Sequence, residues 1–187
     1  MLSRLKGTIV VLSALILLPA AARAQVPALS TGSIIIGGQA SITVEDVSGE
    51  DDKATSISVL PSLQYFVRPA LAIGGELRFV RASFADFSLT SFGIGPTVSY
   101  YFVQDGNAHP FLRGSLRYDR SSTDTGTTEV DSDQLGLRAS AGLLLLLSES
   151  VGVDAVIFFD RTSLGGDGAD FDRNALGLAA GISAFLF

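Results

Sequence analysis

SIIIGGQASITVE, residues 33–45, puts Ile34, Ile36, Gly38, Ala40, Ile42 and Val44 on one face of an extended chain and Ser33, Ile35, Gly37, Gln39, Ser41 and Thr43 on the other. Successive side chains of a strand point to opposite sides, so a period of two with one apolar face is a strand signature; a helix would space its apolar residues three and four apart. The same period recurs at about 55–67, 71–81, 89–102, 110–119, 133–147, 151–161 and 174–187, which makes eight strands. Most run for roughly 10–14 residues, where soluble sheets favour about five or six. Length decides the environment. A tilted strand needs about 9 to 11 residues to cross a bilayer, and only a closed barrel leaves no unpaired backbone in lipid. The expected fold is all-β, an eight-stranded antiparallel up-and-down transmembrane β-barrel.

The connections point the same way. Those after strands two, four and six are short (VRPA, VQDGNAH, SES), whereas VSGEDDKA, SSTDTGTTEVDS and TSLGGDGADF on the other rim are long and polar. Short turns on one rim and longer loops on the other is how outer-membrane barrels are arranged. With strand ends included, 15 of the 19 acidic residues fall at the long-loop rim, Asp119 and Asp160 among them. Divalent cations could bridge these carboxylates to anionic glycolipid head groups, since dense like charge otherwise repels.

Upstream, MLSRLKGTIVVLSALILLPAAARAQ has a basic start at Arg4 and Lys6, an apolar run from Thr8 to Leu18 and a small-x-small site at Ala22-Arg23-Ala24. This is the pattern of a cleaved signal peptide over residues 1–24, with the mature barrel domain spanning 25–187. Without Arg4, Lys6 and Arg23, 10 of the 13 basic residues remain against 19 acidic ones, the wrong sign for binding nucleic acid. The absence of cysteine removes disulfides, thiolate metal sites and a lipoprotein anchor. The longest later apolar run, AGLLLLL at 141–147, is far too short for a membrane helix.

PSLQYFV at 61–67 matches PTVSYYF at 96–102, which places Tyr65 and Tyr100 just above the short-turn rim, where an interface aromatic girdle belongs. Pro61 and Pro96 stand at equal height within these strands and are expected to be matched bulges. Leu-Arg pairs at Leu77-Arg78, Leu112-Arg113, Leu116-Arg117 and Leu137-Arg138 set arginine on the polar face, which Gln64, Glu76, Asp154 and Asp160 share. An eight-stranded barrel is just wide enough for side chains to fill it. Turned inward, Glu76, Arg78, Arg113, Arg117, Arg138 and Asp154 form a lumen charge cluster, because buried guanidinium groups need carboxylates or water.

The signal peptide, the eight strands, the P-x-x-x-Y-[FY] motif and Phe187 together resemble the small outer-membrane β-barrel family that includes the OmpA-type transmembrane domain and the OmpX/Ail-type proteins. The resemblance implies outer-membrane location, contact with outer-membrane lipid and lipopolysaccharide, and a C-terminal assembly signal at Phe187 read by the barrel-assembly machinery. Its parity departs from the pattern: Leu176, Leu178, Ala180, Ile182, Ala184 and Leu186 make the lipid-facing set, with Phe185 and Phe187 on the other. The functions expected are a structural or surface-interaction role with an extracellular ligand at the loops, or a narrow channel for small solutes. A soluble periplasmic lipocalin-like carrier would use the same alternation with the apolar face inward. No catalytic residue, cofactor or metal site is expected. His109, beside Pro110, is read as a turn residue, and GGDGADFD at 165–172 lacks the spacing of a calcium-binding EF-hand.

Overall fold

Alternation dictates closure: a sheet with one apolar and one polar face can hide its edges by curling until its first and last strands meet. In the computed structural model, which describes residues 26–46, 53–84, 87–124, 129–164 and 171–187, the chain forms a closed antiparallel barrel of eight strands in sequence order. They are β1 (Ile34–Asp46), β2 (Lys53–Arg68), β3 (Leu71–Phe84), β4 (Phe87–Tyr101), β5 (Ala108–Asp124), β6 (Glu129–Leu146), β7 (Val151–Leu164) and β8 (Phe171–Leu186). The expected signal peptide and much of the acidic loop rim lie outside the described residues.

Several strands outrun their apolar pattern. β5 and β6 stay paired out to Asp124↔Glu129, and β7 and β8 out to Leu164↔Phe171. Backbone pairing continues a ladder for as long as register holds, whatever the side chains, so the last apolar residue underestimates the strand end. The wall therefore rises beyond its apolar belt on the long-loop side.

The belt itself is on the outside. Ile57, Ile73, Phe79, Phe92, Leu116, Leu137, Ile157 and Leu178 are all exposed large hydrophobics on outward positions. Along β3 the belt runs from Ile73 to Phe79 and ends at exposed Arg81; along β5 it ends after Tyr118 at Arg120, and along β7 after Phe159 at Arg161. From turn rim to these arginines is about 9 to 11 residues, one bilayer's thickness of tilted strand. A carrier of apolar ligands would place this face inward.

Pro61 and Pro96 are not bulges. Pro61 pairs with Gly38 and Pro96 with Gly75, and on the opposite side of each proline the ladder resumes in the same register, Val59↔Phe79 to Ser62↔Glu76 and Ile94↔Tyr118 to Thr97↔Ser115. A proline lacking its N–H interrupts hydrogen bonding to one neighbour without inserting a residue. The irregularity in β2 falls instead at Phe66/Arg68, next to the tight turn whose Ala70 takes a left-handed φ of 67°.

A 3₁₀ turn, Pro27–Leu29, precedes β1 and packs into the turn-side mouth of the barrel. Ala70 N–H donates to Leu29 O at 2.9 Å and Gly32 N–H to Phe66 O at 3.0 Å, so the incoming chain is tied to the β2–β3 turn. Tyr101 N–H in turn donates to Ala70 O at 2.8 Å, which holds that left-handed residue from both sides.

Candidate functional site

The inward residues divide into layers. At the turn-side end, Leu29, Ile35, Phe66, Tyr101, Phe111, Leu144, Phe158 and Phe185 make a buried apolar floor. Phe66 and Tyr101 meet with ring centroids 5.7 Å apart, and Tyr101 and Phe111 at 5.3 Å. Phe66, Tyr101 and Phe158 are the inward members of the YF, YY and FF pairs at 65–66, 100–101 and 158–159, whose outward members belong to the lipid face.

Above the floor the lumen is charged, and Arg117 is its centre. Its Nη1 donates to Glu76 Oε1 at 3.1 Å and its Nη2 to Asp160 Oδ1 at 2.9 Å, while its Nε lies 3.8 Å from Asp119 Oδ2. Ser115 Oγ adds a 2.7 Å hydrogen bond to Glu76 Oε1. Arg78 reaches Asp119 at 3.6 Å and Arg138 reaches Asp160 at 3.6 Å. Three arginines thus face three carboxylates, so the layer is balanced in charge. Arg138 also lies over the Phe158 ring, 3.7 Å from its centroid, a cation–π contact joining the charged layer to the floor.

Glycine makes this layer possible. Asp119 pairs with Gly93 on the β4 side, and on the β6 side Gly136 pairs with Arg117, two residues before it. A Cβ at Gly93 would fall on the Asp119 carboxylate, and one at Gly136 would come within 2.9 Å of its other oxygen. The wall is hollowed where the carboxylate needs room.

Of the residues expected in the lumen cluster, Glu76, Arg78, Arg117 and Arg138 are joined in this network. Arg113 and Asp154 are inward but lie outside it. Arg113 Nε donates to Ser99 Oγ at 3.0 Å with its guanidinium 5.2 Å from the Phe111 ring centroid, and Asp154 accepts from Gln39 Nε2 at 2.9 Å. Asp160 stands on the arginines' face as its parity predicts, and both it and Asp119, counted at the acidic rim, are buried partners of Arg117. A β5 that ends at 119 leaves Asp119 at the rim; the strand runs on to Asp124, and the polar period 115, 117, 119, 121 continues through it. Toward the loops the lumen turns to hydroxyls and amide, with Ser121 Oγ donating to Ser91 Oγ at 3.0 Å and Gln134 Nε2 to Ser121 at 3.3 Å.

Tyr65 faces outward near the turn rim, and Tyr100 stacks edge-on against Phe102 at 5.1 Å on the same side. Phe185 points into the floor, as its parity predicts, whereas Phe187 lies past the end of β8 and is exposed. His109 is not a turn residue. It is the second residue of β5, buried, with Nδ1 accepting from Gln104 N–H at 3.4 Å. Among the described residues no group of His, Cys, Asp or Glu side chains is arranged to hold a metal ion.

No protein-family model matches the chain, and no curated protein matches it in sequence. Among solved structures it is similar to Neisserial surface protein A, at 20% identity and a TM-score of 0.61 over 82% of this chain and 97% of that one. It is similar to Ail, the attachment invasion locus protein of Yersinia pestis, at 12% identity and a TM-score of 0.52 over 84% of this chain and 99% of that one. The N-terminal β-barrel domain of Pseudomonas aeruginosa OprF aligns at 12% identity and a TM-score of 0.51, over 83% of this chain and 98% of that domain. What is shared at these identities is the fold, that of the small transmembrane barrels the sequence resembles.

Proposed function

We propose that this protein is an integral barrel of the bacterial outer membrane with a structural or surface-interaction role, its lumen closed to bulk solutes and its long loops turned outward. The observation that carries this reading is Arg117, buried in mid-lumen and bound to carboxylates from β3, β5 and β7 at once. Three strands spaced round the wall are thereby tied across the space a solute would need. Removing one partner of such a buried pair leaves an uncompensated charge and typically costs about 3 to 5 kcal/mol, so the links hold at rest. The apolar floor and Leu29 close the turn-side mouth independently. The outward apolar belt supports membrane insertion, and the similarity to proteins described as a surface protein and an attachment invasion locus protein supports a role at the surface.

Planar-bilayer recording tests the closure. Wild-type protein should give rare, small conductance steps, and Glu76→Ala more frequent ones. Large, steady, ohmic conductance from the wild type would overturn the proposal and install the channel reading. Location is tested by fractionation: the mature chain should begin at Gln25 and accompany outer membranes, whereas a soluble periplasmic monomer would favour the carrier.

A further inference from the structure

Closure is uneven around the wall. β1 and β8 pair from Ile34↔Leu186 to Ala40↔Ala180 and stop there, yet β1 remains paired with β2 as far as Asp46↔Lys53, and β8 with β7 as far as Leu164↔Phe171. Two strand edges, residues 41–46 and 171–179, therefore flank the loop-side half of the seam without pairing to each other. Side-chain exposure agrees with the backbone. Leu176 and Leu178 at 74% and Ile42 at 71% are the most exposed large hydrophobics among the described residues, against 50% for Ile57 and Ile157 and 61% for Ile182, each laddered on both sides. The excess is what a missing cross-strand neighbour leaves uncovered.

Part of this seam lies within the apolar belt, where an unsatisfied backbone group costs several kcal/mol and an open edge facing lipid is not tolerated. An acyl chain can cover Ile42 and Leu178 but offers neither donor nor acceptor to the backbone. Only another strand supplies both. We infer that the occupant is a second copy of this chain, the two barrels completing each other's seams as a two-fold dimer whose axis lies along the membrane normal.

The symmetry works in detail. A half-turn about that axis brings the β1 edge of one copy opposite the β8 edge of the other, and the reverse, with both sets of short turns still on one side of the membrane. β1 and β8 run antiparallel within the barrel, so they do so between copies. Each edge then meets the sequence it already pairs with lower down: extending the observed register sets Ile42 opposite Leu178 and Val44 opposite Leu176. The contact is isologous and closed, and it leaves no edge free for further addition. The inference rests on the membrane location proposed above.

The chain has no cysteine, so Ile42→Cys and Leu178→Cys can be introduced singly and together. Directly opposed residues of an antiparallel pair have Cβ atoms about 4.5 to 5.5 Å apart, close to disulfide reach. Refolded together into phosphatidylcholine vesicles and mildly oxidised, the two single variants should yield a disulfide-linked dimer that neither yields alone. Absence of that dimer from the mixture, or a double variant that forms only an intrachain bond at every lipid dilution, would overturn the inference and show a seam that zips on itself. Flotation of the wild type with the vesicles reads membrane insertion separately. A chain that fails to float defeats both readings; one that floats without cross-linking between copies defeats this one alone.

Discussion

Phe66, Phe111 and Phe185 fill the turn-side end of the lumen by packing, and a few residues higher Glu76, Asp119 and Asp160 fill it by holding Arg117. Both layers exclude solvent, but they tolerate change differently. An apolar floor loses stability in proportion to the volume removed, because its remaining side chains still attract one another. A charged layer depends on completeness, since deleting one member strands its partners in a poor solvent for charge. Position in the lumen thus sets which substitutions open it and which merely weaken it.

The strongest way to break this contrast is Arg117→Ala, which leaves three buried carboxylates without their shared cation. It should cost at least about 3 to 5 kcal/mol in urea unfolding from lipid vesicles, and a midpoint close to wild type would show that the layer is wet enough not to need its centre. Glu76→Ala should cost about 3 kcal/mol and raise opening frequency in the same preparation. Leu29→Ala removes part of the floor at a cost of about 2 kcal/mol, yet should leave conductance unchanged because the charged layer above is intact; frequent opening of this variant would move the barrier down to the floor. Gly93→Ala should cost about 1 to 3 kcal/mol by overpacking against Asp119, and in an Asp119→Ala background, itself destabilised because Arg78 and Arg117 lose a carboxylate, the added cost of Gly93→Ala should largely disappear. The smallest effect is expected above the belt, where Arg120 and Asp131 meet at 2.8 Å with both side chains exposed. Arg120→Ala should leave the unfolding midpoint close to wild type, and closer still in high salt.

The strands were legible because alternation survives wherever one face meets lipid and the other meets polar side chains. It fails where both faces are apolar, and that failure was itself a signal. LLLLL at 143–147 and YY at 100–101 mark the height at which the lumen becomes hydrocarbon, and both lie at the turn rim as the floor does, whereas FF at 158–159 stands higher in β7, where Phe158 meets Arg138. Arg78, Arg117 and Arg138 could be placed on one polar face by parity, and strand length with loop asymmetry turned that face inward. Their partners could not, since which carboxylate faces which arginine depends on the stagger between strands, and stagger leaves no trace in one strand's pattern. For the same reason Arg113 and Asp154 share the polar face without joining the network. The insertion of Leu29 was hidden more deeply, because PAL at 27–29 has no period and its burial depends on where β2 and β3 turn.

One consequence of the floor concerns the order in which the molecule is made. Phe66 and Phe111 arrive with β2 and β5, but Phe185 is near the far end of the chain, and the β1–β8 ladder that seats it joins the two most distant strands. Closing so long a loop carries the largest entropic cost of any pairing in the barrel, so that ladder forms late. On that order the floor closes last, and Leu29, tied in the finished barrel to the β2–β3 turn through Ala70, depends on a hairpin that closes only a short loop. The 3₁₀ turn is then expected to serve first as a mandrel around which the wall is wound, and only afterwards as a stopper.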